Sequence, residues 1–488
     1  MGILVIDVGT SGLRAALVER DGTLRHERHR RLPPDTPFPG LVEFDANVLA
    51  EVALELARAV LADSGPVEAV GVTNQRASTI LWDAATGRAV GPALGWQDLR
   101  TAGDCLTLQA DGLRLAPNQS ATKLAHLLAL AAQAGEVPRA QLRFGTVDSW
   151  LVWQLSGGAA HVTDLSNAGV TGLLLLDASG WDEAVLQQLG IPESVLPDLG
   201  DSAGHLAEAA VLPGSPPITA ILGDQQASLL GQGCVTPGAA KITFGTGGML
   251  DVFLGDERPA AETRGPQGTF PIVALGQGGR PHWGLEAIML AAGSNVDWLR
   301  EDLGLLREAA ESGALAAEVP DADGVVFVPH LLGEGTPGWD LGARGTLLGL
   351  TRGSDRRHIC RAVLEGVAHG AADLVEAAEA DGARTLATLR IDGGMTANAP
   401  FVQAVADATG RPIEVSPQRE ATALGAGLLA GLGAGWFGDL ADLGRLFRPA
   451  AVVEPSADDG RRSEARSRWQ EARRRAAEWY PELSALTF

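Results

Sequence analysis

Three cysteines in 488 residues cannot build a disulfide scaffold. Cys105, Cys234 and Cys360 lack the paired spacing of a thiolate metal site, so they read as reduced, buried fillers in a cytoplasmic protein. Excess positive charge is missing too, because 60 acidic residues against 38 basic ones leave a net charge of −22. That argues against nucleic acid and anionic membranes as partners. It also means that any phosphate site must rely on backbone amides, a metal and a few placed cations. No apolar run reaches transmembrane length. The first strand begins within three residues of Met1, which leaves no room for a signal peptide. Tyrosine is down to one and glycine is up to 62, a lean that carries no functional reading. What is present is 45% hydrophobic residues and enough length for two domain cores.

Two short segments use the same device. Residues 3–18 (ILVIDVGTSGLRAALV) and 240–254 (AKITFGTGGMLDVFL) each join two β-rich runs through a Gly-Thr-x-Gly turn. The glycines allow backbone N–H groups to converge on one spot, and with a Thr hydroxyl they form a phosphate cradle. One such turn is an ordinary hairpin. Two, in the two halves of one chain, predict a duplicated nucleotide-binding fold with the phosphates of ATP between the halves.

The order around the first copy supports this. A third strand is expected near Thr23–Arg31, a helix at Asn47–Ala62, and strands at Val67–Thr73 and Ser78–Asp83. That is the order of a ribonuclease-H-like ATPase half. Helices are expected to dominate 101–135 and 181–199. A buried-type strand, Ile218–Gly223, ends in Gly-Asp-Gln-Gln, and Cys234–Gly238 reads as the joint between domains 1–233 and 234–488. Two further helices are expected at Glu286–Leu303 and His358–Asp381. A strand at Thr388–Asp392 should run into a Gly-Gly turn and a helix, followed by a strand at Pro412–Val415 and another helix. The charged helix Arg461–Glu478 reads as a solvated cap.

Several residues suit phosphoryl chemistry. Asp7 ends the first strand beside the first turn and could hold Mg²⁺ through water; the plainer reading is a turn-stabilising Asp. Asp224 ends a strand that points toward both turns and is placed as a general base for an attacking hydroxyl; an isolated Gly-Asp is more often a helix cap. At Ile391–Asn398 a Gly-Gly turn opens a helix that a nucleotide could approach closely.

These motifs, in this order, resemble the FGGY family of carbohydrate kinases, most closely its glycerol kinase branch. The match runs through IDVGTSGLRA, GVTNQRASTILWD, WQDLRT, GTVDSWLVWQL with VTDLSNA, LGDQQASLLGQ, KITFGTGGM, VPHLLGEGTPGWDLGARGTLLGLTRG and IDGGMTANAPFVQAVADATG with EATALGAGLLAG. It implies two ribonuclease-H-like α/β domains with a cleft between them, ATP and Mg²⁺ as cofactors, and a sugar or polyol as acceptor. A homodimer or homotetramer is implied as well. Asp224 resembles the catalytic base and Asp7 the metal residue. Thr10, Ser11 and Arg14 resemble the first phosphate loop, Thr246 and Gly247 the second. Gly293, Gly394 and Asn398 resemble nucleotide contacts; Arg76, Trp96, Asp224 and Gln225 resemble the acceptor pocket.

The pocket also departs from the glycerol kinase pattern. Ala77 stands where those enzymes carry a Glu, Asn118 where they carry a Tyr, and Met249 where they carry a Phe. His126 replaces a signature tryptophan. Loss of a carboxylate acceptor and an aromatic wall predicts weaker glycerol binding and room for a larger polyol or ketose. The alternatives are glycerol kinase itself and a chaperone-like or actin-like ATPase; the substrate-side motifs Asn74-Gln75-Arg76 and Trp96-Gln97-Asp98 favour a small-molecule kinase over the latter.

Overall fold

The computed structural model describes residues 2–418 and 420–485. Its frame is two mixed sheets built to one plan. In the N-terminal sheet, β1 (Ile3–Val8), β2 (Gly12–Val18) and β3 (Leu24–Arg31) form an antiparallel meander. β1 then pairs in parallel with β4 (Ala69–Asn74), and β4 with β6 (Pro217–Gly223), while β5 (Ala203–Glu208) closes the far edge. The order is β5-β6-β4-β1-β2-β3.

The second sheet repeats the plan. β7 (Ala240–Phe244), β8 (Gly248–Gly255) and β10 (Arg280–Met289) run antiparallel, with β9 (Phe270–Gln277) outside them. β7 pairs in parallel with β11 (Leu389–Asp392), and β11 with β12 (Ile413–Val415); β13 (Ala451–Val453) ends that side. The predicted ribonuclease-H-like duplication is therefore present. In both halves the hairpin strand with a parallel neighbour ends at a Gly-Thr turn, so the two turns lie at equivalent places.

Helices cover the sheets for local reasons. α1 (Ala46–Ser64) starts at Asp45, whose carboxylate accepts from the amides of Asn47 and Val48, and stops at Gly65 in a positive-φ conformation. Its apolar stripe, which includes Leu49, Ala53, Leu56 and Val60, is buried against the N-terminal sheet. Each such leucine contributes roughly 1.5–3 kcal/mol. α5 (Arg356–Ala380) does the same for the second sheet.

The two halves interlock through α3 (Asp224–Gly231) and α7 (Ala421–Gly433). α7 belongs to the second half in sequence, yet it packs across β6, β4 and β1 of the first. The helices cross so closely that a Cβ on Gly231 would strike the Ala421 carbonyl, and one on Gly425 the Ala227 carbonyl. Phe253, Ala274 and Leu275 of the second sheet join the same apolar cluster.

Three expectations change. The segment expected as a helix over Glu286–Leu303 is the end of β10 followed by α4 (Ser294–Glu301). The Ala- and Leu-rich composition favours helix locally, but pairing with β9 as far as Glu286 and with β8 as far as Met289 holds the chain extended. Within 181–199 the α-helix covers only Glu183–Leu189, followed by a 3₁₀ turn and a short strand at Asp198–Gly200. The C-terminal helix α8 (Asp459–Ala476) is not simply solvated, since Trp469, Ala472 and Ala476 are buried against Val328. Arg466 reaches Asp373 at 2.6 Å, and the Trp469 indole N–H donates to the same carboxylate. No helix among the described residues is long and apolar enough to cross a membrane.

Candidate active site

Each Gly-Thr turn is closed by one backbone hydrogen bond, Gly9 N to Gly12 O at 3.0 Å and Gly245 N to Gly247 O at 3.0 Å. Glycines around the second turn serve two different ends. Gly247 and Gly293 are demanded by packing, because a Cβ there would sit 2.7 Å from the Met289 carbonyl and 2.6 Å from the Gly245 carbonyl. Gly293 N in turn donates to Gly245 O at 2.9 Å, which pins the start of α4 under the turn. Gly394 is the opposite case. A Cβ there meets nothing within 4 Å, so its bareness leaves space open to the cleft. Thr246 is exposed at the turn.

Between these glycines lies a cavity of about 640 Å³, lined by Gly245, Thr246, Gly293, Val296, Gly394 and Asn398 among others. Its size and bare backbone fit a nucleoside with its phosphates directed at the turn. Asn398 is placed here as expected, but its side chain is occupied: it caps α6 (Ala399–Thr409) by accepting from Phe401 N at 3.2 Å and donates to Ser312 Oγ at 3.2 Å. It shapes the wall.

On the other side, Thr10 and Ser11 form the tip of the first turn, and Arg14 on β2 lies opposite Asp7 on β1. Arg14 forms an ion pair with Glu420 of the second half and lies 3.6 Å from Glu27. Burial lifts the Asp7 carboxyl to about 7; Arg14 pulls it down and Asp224 pushes it up. Among the described residues no group of three or more His, Cys, Asp or Glu side chains forms a protein metal cage. One partly buried carboxylate in a cleft suits Mg²⁺, which keeps most of its waters.

The acceptor side is built where β4 and β6 end. Asp224 opens α3, and its Oδ1 accepts from Gln225 N at 2.8 Å. Arg76 Nε lies 3.5 Å from the same oxygen, and the Arg76 guanidinium donates to Glu286 at 2.6 Å. Burial opposes the Arg76 charge, but Glu286, Asp224 and Asp251 outweigh it and hold the proton more tightly than usual. Arg76 Nη1 is buried with no hydrogen-bond partner among the described residues, a donor suited to a bound hydroxyl. Burial raises the Asp224 carboxyl above the usual range, against the pull of Arg76. A carboxylate so tuned accepts a proton more readily.

Trp96 spans the gap to the first turn, its indole N–H donating to Thr10 Oγ1 at 3.1 Å. The Trp96 carbonyl accepts from Lys123 at 3.1 Å. Ala77 is buried at φ +60°, and its carbonyl accepts from Ser120 Oγ at 2.9 Å. Met249 is half-buried on β8, on the same strand face as Asp251. Asn118 is exposed.

Three residues here escaped the sequence reading. Lys241, Asp251 and Glu286 sit on adjacent strands β7, β8 and β10, with Asp251 registered against both of the others. Lys241 and Asp251 are fully buried and lie 2.7 Å apart. Lys241 also donates to Gln225 Oε1 at 2.8 Å and to Thr243 Oγ1 at 3.0 Å. The Gln225 amide is thereby fixed with its oxygen toward Lys241, leaving its NH₂ for another acceptor. The available signal was charge inside apolar strand runs: KITF, MLDVF and GLEAIM each bury one.

The family models for FGGY carbohydrate kinases match in order, the N-terminal domain over residues 2–231 and the C-terminal domain over 240–434. A protein named glycerol kinase from Trichlorobacter lovleyi is 43% identical, covering 98% of this chain and 99% of its own length. One of the same name from Gloeobacter violaceus is also 43% identical, over 98% and 97%. Among solved structures, Plasmodium falciparum glycerol kinase with ADP superposes with a TM-score of 0.87 at 28% identity, covering 100% and 99%. A xylulose kinase from Rhodospirillum rubrum, at 23% identity and TM-score 0.85 over 99% and 100%, shares the fold.

Proposed function

This chain belongs to the FGGY family of carbohydrate kinases and is an ATP-dependent phosphotransferase with an alcohol acceptor; from that premise we propose that the alcohol is glycerol. The observation that carries the acceptor is similarity at full length to proteins named glycerol kinase. Arg76, Asp224 and Gln225 give the cleft the donors and the acceptor that a small polyol needs.

In this reading an acceptor hydroxyl lies against Asp224, held by Arg76 and the Gln225 NH₂. Its oxygen bonds to the γ-phosphorus as the bond to the ADP oxygen breaks, and its proton passes to an Asp224 carboxylate oxygen. Mg²⁺ at Asp7, through water, would supply neutralising charge on the phosphate oxygens. The amides of the two turns and the Thr246 hydroxyl orient the transferred group. Because the transition state is loose, such positioning does most of the work. Asp224 as general base contributes about 10²–10⁴ in rate.

A second reading, a longer polyol or a ketose, is favoured by one observation. Glycerol kinases carry a Glu where this chain has the buried Ala77, so one charge-assisted acceptor is missing from the pocket. Such a bond is worth about 1.5–3 kcal/mol, roughly 10- to 150-fold in affinity. The test is a coupled ADP-release assay over C3 to C7 polyols and ketoses. Glycerol should give the highest kcat/KM, and Ala77→Glu should lower its KM further. A C5 or C6 acceptor preferred by tenfold or more would overturn the glycerol assignment and install the second reading.

A further inference from the structure

Asp164, from the segment Val162–Ala168, is fully buried and takes no part in the chemistry described above. Its carboxylate is nevertheless the most heavily used acceptor near the site. Oδ1 accepts from Ser166 Oγ at 2.9 Å, Asn167 N at 3.0 Å and Asn167 Nδ2 at 2.9 Å. Oδ2 accepts from Ser166 N at 3.1 Å and Ser202 Oγ at 2.5 Å. Capping the single turn α2 (Leu165–Ala168) accounts for two of these five bonds. The side-chain partners each lead somewhere else.

Ser166 Oγ accepts from Gly223 N at 3.0 Å, the residue directly before Asp224. The Asn167 oxygen accepts from Asn74 Nδ2 at 2.9 Å, and the same Asn74 nitrogen donates to the Gln75 carbonyl, directly before Arg76. Ser202 Oγ accepts from Gly276 N at 2.8 Å, and Ser202 N donates to Gly276 O at 2.8 Å. Gly276 lies on β9, whose partner β10 carries Glu286, which grips Arg76. One carboxylate thus reaches the ends of both acceptor-side strands and the edge of the opposite sheet.

The chemistry sets the direction of every bond. Gly223 N and Gly276 N each donate into a serine hydroxyl, so both hydroxyl protons are turned toward the Asp164 carboxylate, whose pKa burial raises while its hydrogen bonds from Ser202, Ser166 and Asn167 oppose the rise. A side chain at 164 that cannot accept would free both hydroxyls to rotate, and the amides of Gly223 and Gly276 would lose their fixed acceptors.

We infer that Asp164 is a positioning residue for phosphoryl transfer: it fixes Asp224 and Arg76 relative to one another, and through Ser202 it fixes both relative to the nucleotide-side sheet. The role rests on Asp224 being the base. A displacement of about 1 Å at a reacting group can cost on the order of 10²-fold, so small slackening at Gly223 is enough to matter.

The experiment uses the full chain with changes at the two serines, since Asp164→Ala removes five buried hydrogen bonds at once and confounds function with folding. Ser166→Ala cuts the arm to Gly223; kcat should fall 10- to 100-fold while the dissociation constant for ATP stays within twofold. Ser166→Thr keeps the hydroxyl and should recover most of the rate. Ser202→Ala cuts the arm to β9; ADP release should then exceed formation of phosphorylated acceptor, because the two lobes no longer register. A thermal midpoint is measured for each, and assays are run well below it. If both alanine variants lose only stability and keep kcat within twofold, the inference is wrong. Equal loss of kcat and ATP affinity would also overturn it, as general loosening. Asp224→Asn is the control. If it keeps more than a tenth of kcat, the base assignment fails and this inference with it; if it is inactive while Ser166→Ala is normal, only the positioning role fails.

Discussion

Lys241→Met should be among the most damaging single changes in the second sheet. Lys241 and Asp251 are both fully buried and 2.7 Å apart, so removing the ammonium leaves a carboxylate without its cation in the interior. Removing one member of a buried pair costs about 3–5 kcal/mol, out of a typical total of roughly 5–15 kcal/mol. Asp251 would keep the attraction of Arg76, but Arg76 is already held by Glu286, and Asp251 also pushes up the carboxyls of Asp224 and Glu286, so the loss should stay within that range. Replacing both partners removes both charges, so Lys241→Met with Asp251→Leu should return to within about 1 kcal/mol of the original. Urea titrations followed by tryptophan fluorescence give the stabilities. Activity separates a second effect. Lys241 also fixes the Gln225 amide at 2.8 Å, and the double variant does not restore that bond. Its stability should recover while its KM for the acceptor stays raised, by roughly tenfold or more for one lost bond to a charged group. A single variant within 1 kcal/mol of the original, or a double variant no more stable than the single, would refute the reasoning.

Gly394→Ala should fold normally, because the added Cβ meets nothing, yet raise the KM for ATP about tenfold, which is about 1.4 kcal/mol; an unchanged KM in steady-state assays would remove Gly394 from the nucleotide wall. Acid should destabilise the fold through His330, whose pKa is lowered to about 4 by burial, with Arg473 adding to the shift. The unfolded chain takes up that proton near pH 6.5 and the folded chain only near 4, so this stability is whole above 6.5 and is lost as the pH falls to 4, about 3 kcal/mol at most. His330→Leu should flatten that limb of a stability–pH curve; an unaltered slope counts against it.

What could be read from the residues was what is local. The hairpins at 3–18 and 240–254 carry their own turn chemistry, and α1 carries both its cap and its apolar stripe. Asp7, Asp224 and the Gly-Thr turns could be singled out because they lie at strand ends, Asp7 two residues before Gly9 and Asp224 directly after Gly223. β10 was not found, because Gly284–Met289 has helical composition and is held extended by its strand partners, β8 throughout and β9 as far as Glu286. The Lys241–Asp251–Glu286 row was missed for the same reason: it is assembled by register between strands, and no sequence spacing records it. The buried part of α8 was hidden by its arginines, which outnumber the one tryptophan that anchors it.

The placement of α7 bears on how the molecule is made. The N-terminal sheet is complete in strands once residue 223 has emerged, and α3 follows at once. Its cover does not. Residues 421–433 arrive 190 positions after Gly231 (421 − 231), a wait of roughly 10–40 s at about 5–20 residues per second. Throughout that interval the face formed by Ile3, Val5, Ala220 and Leu222 lacks the partner that buries it. α3 covers part of that face, but the first lobe is expected to complete its core only once the second half has been made. A fragment ending near residue 233 should be sticky rather than a free-standing unit.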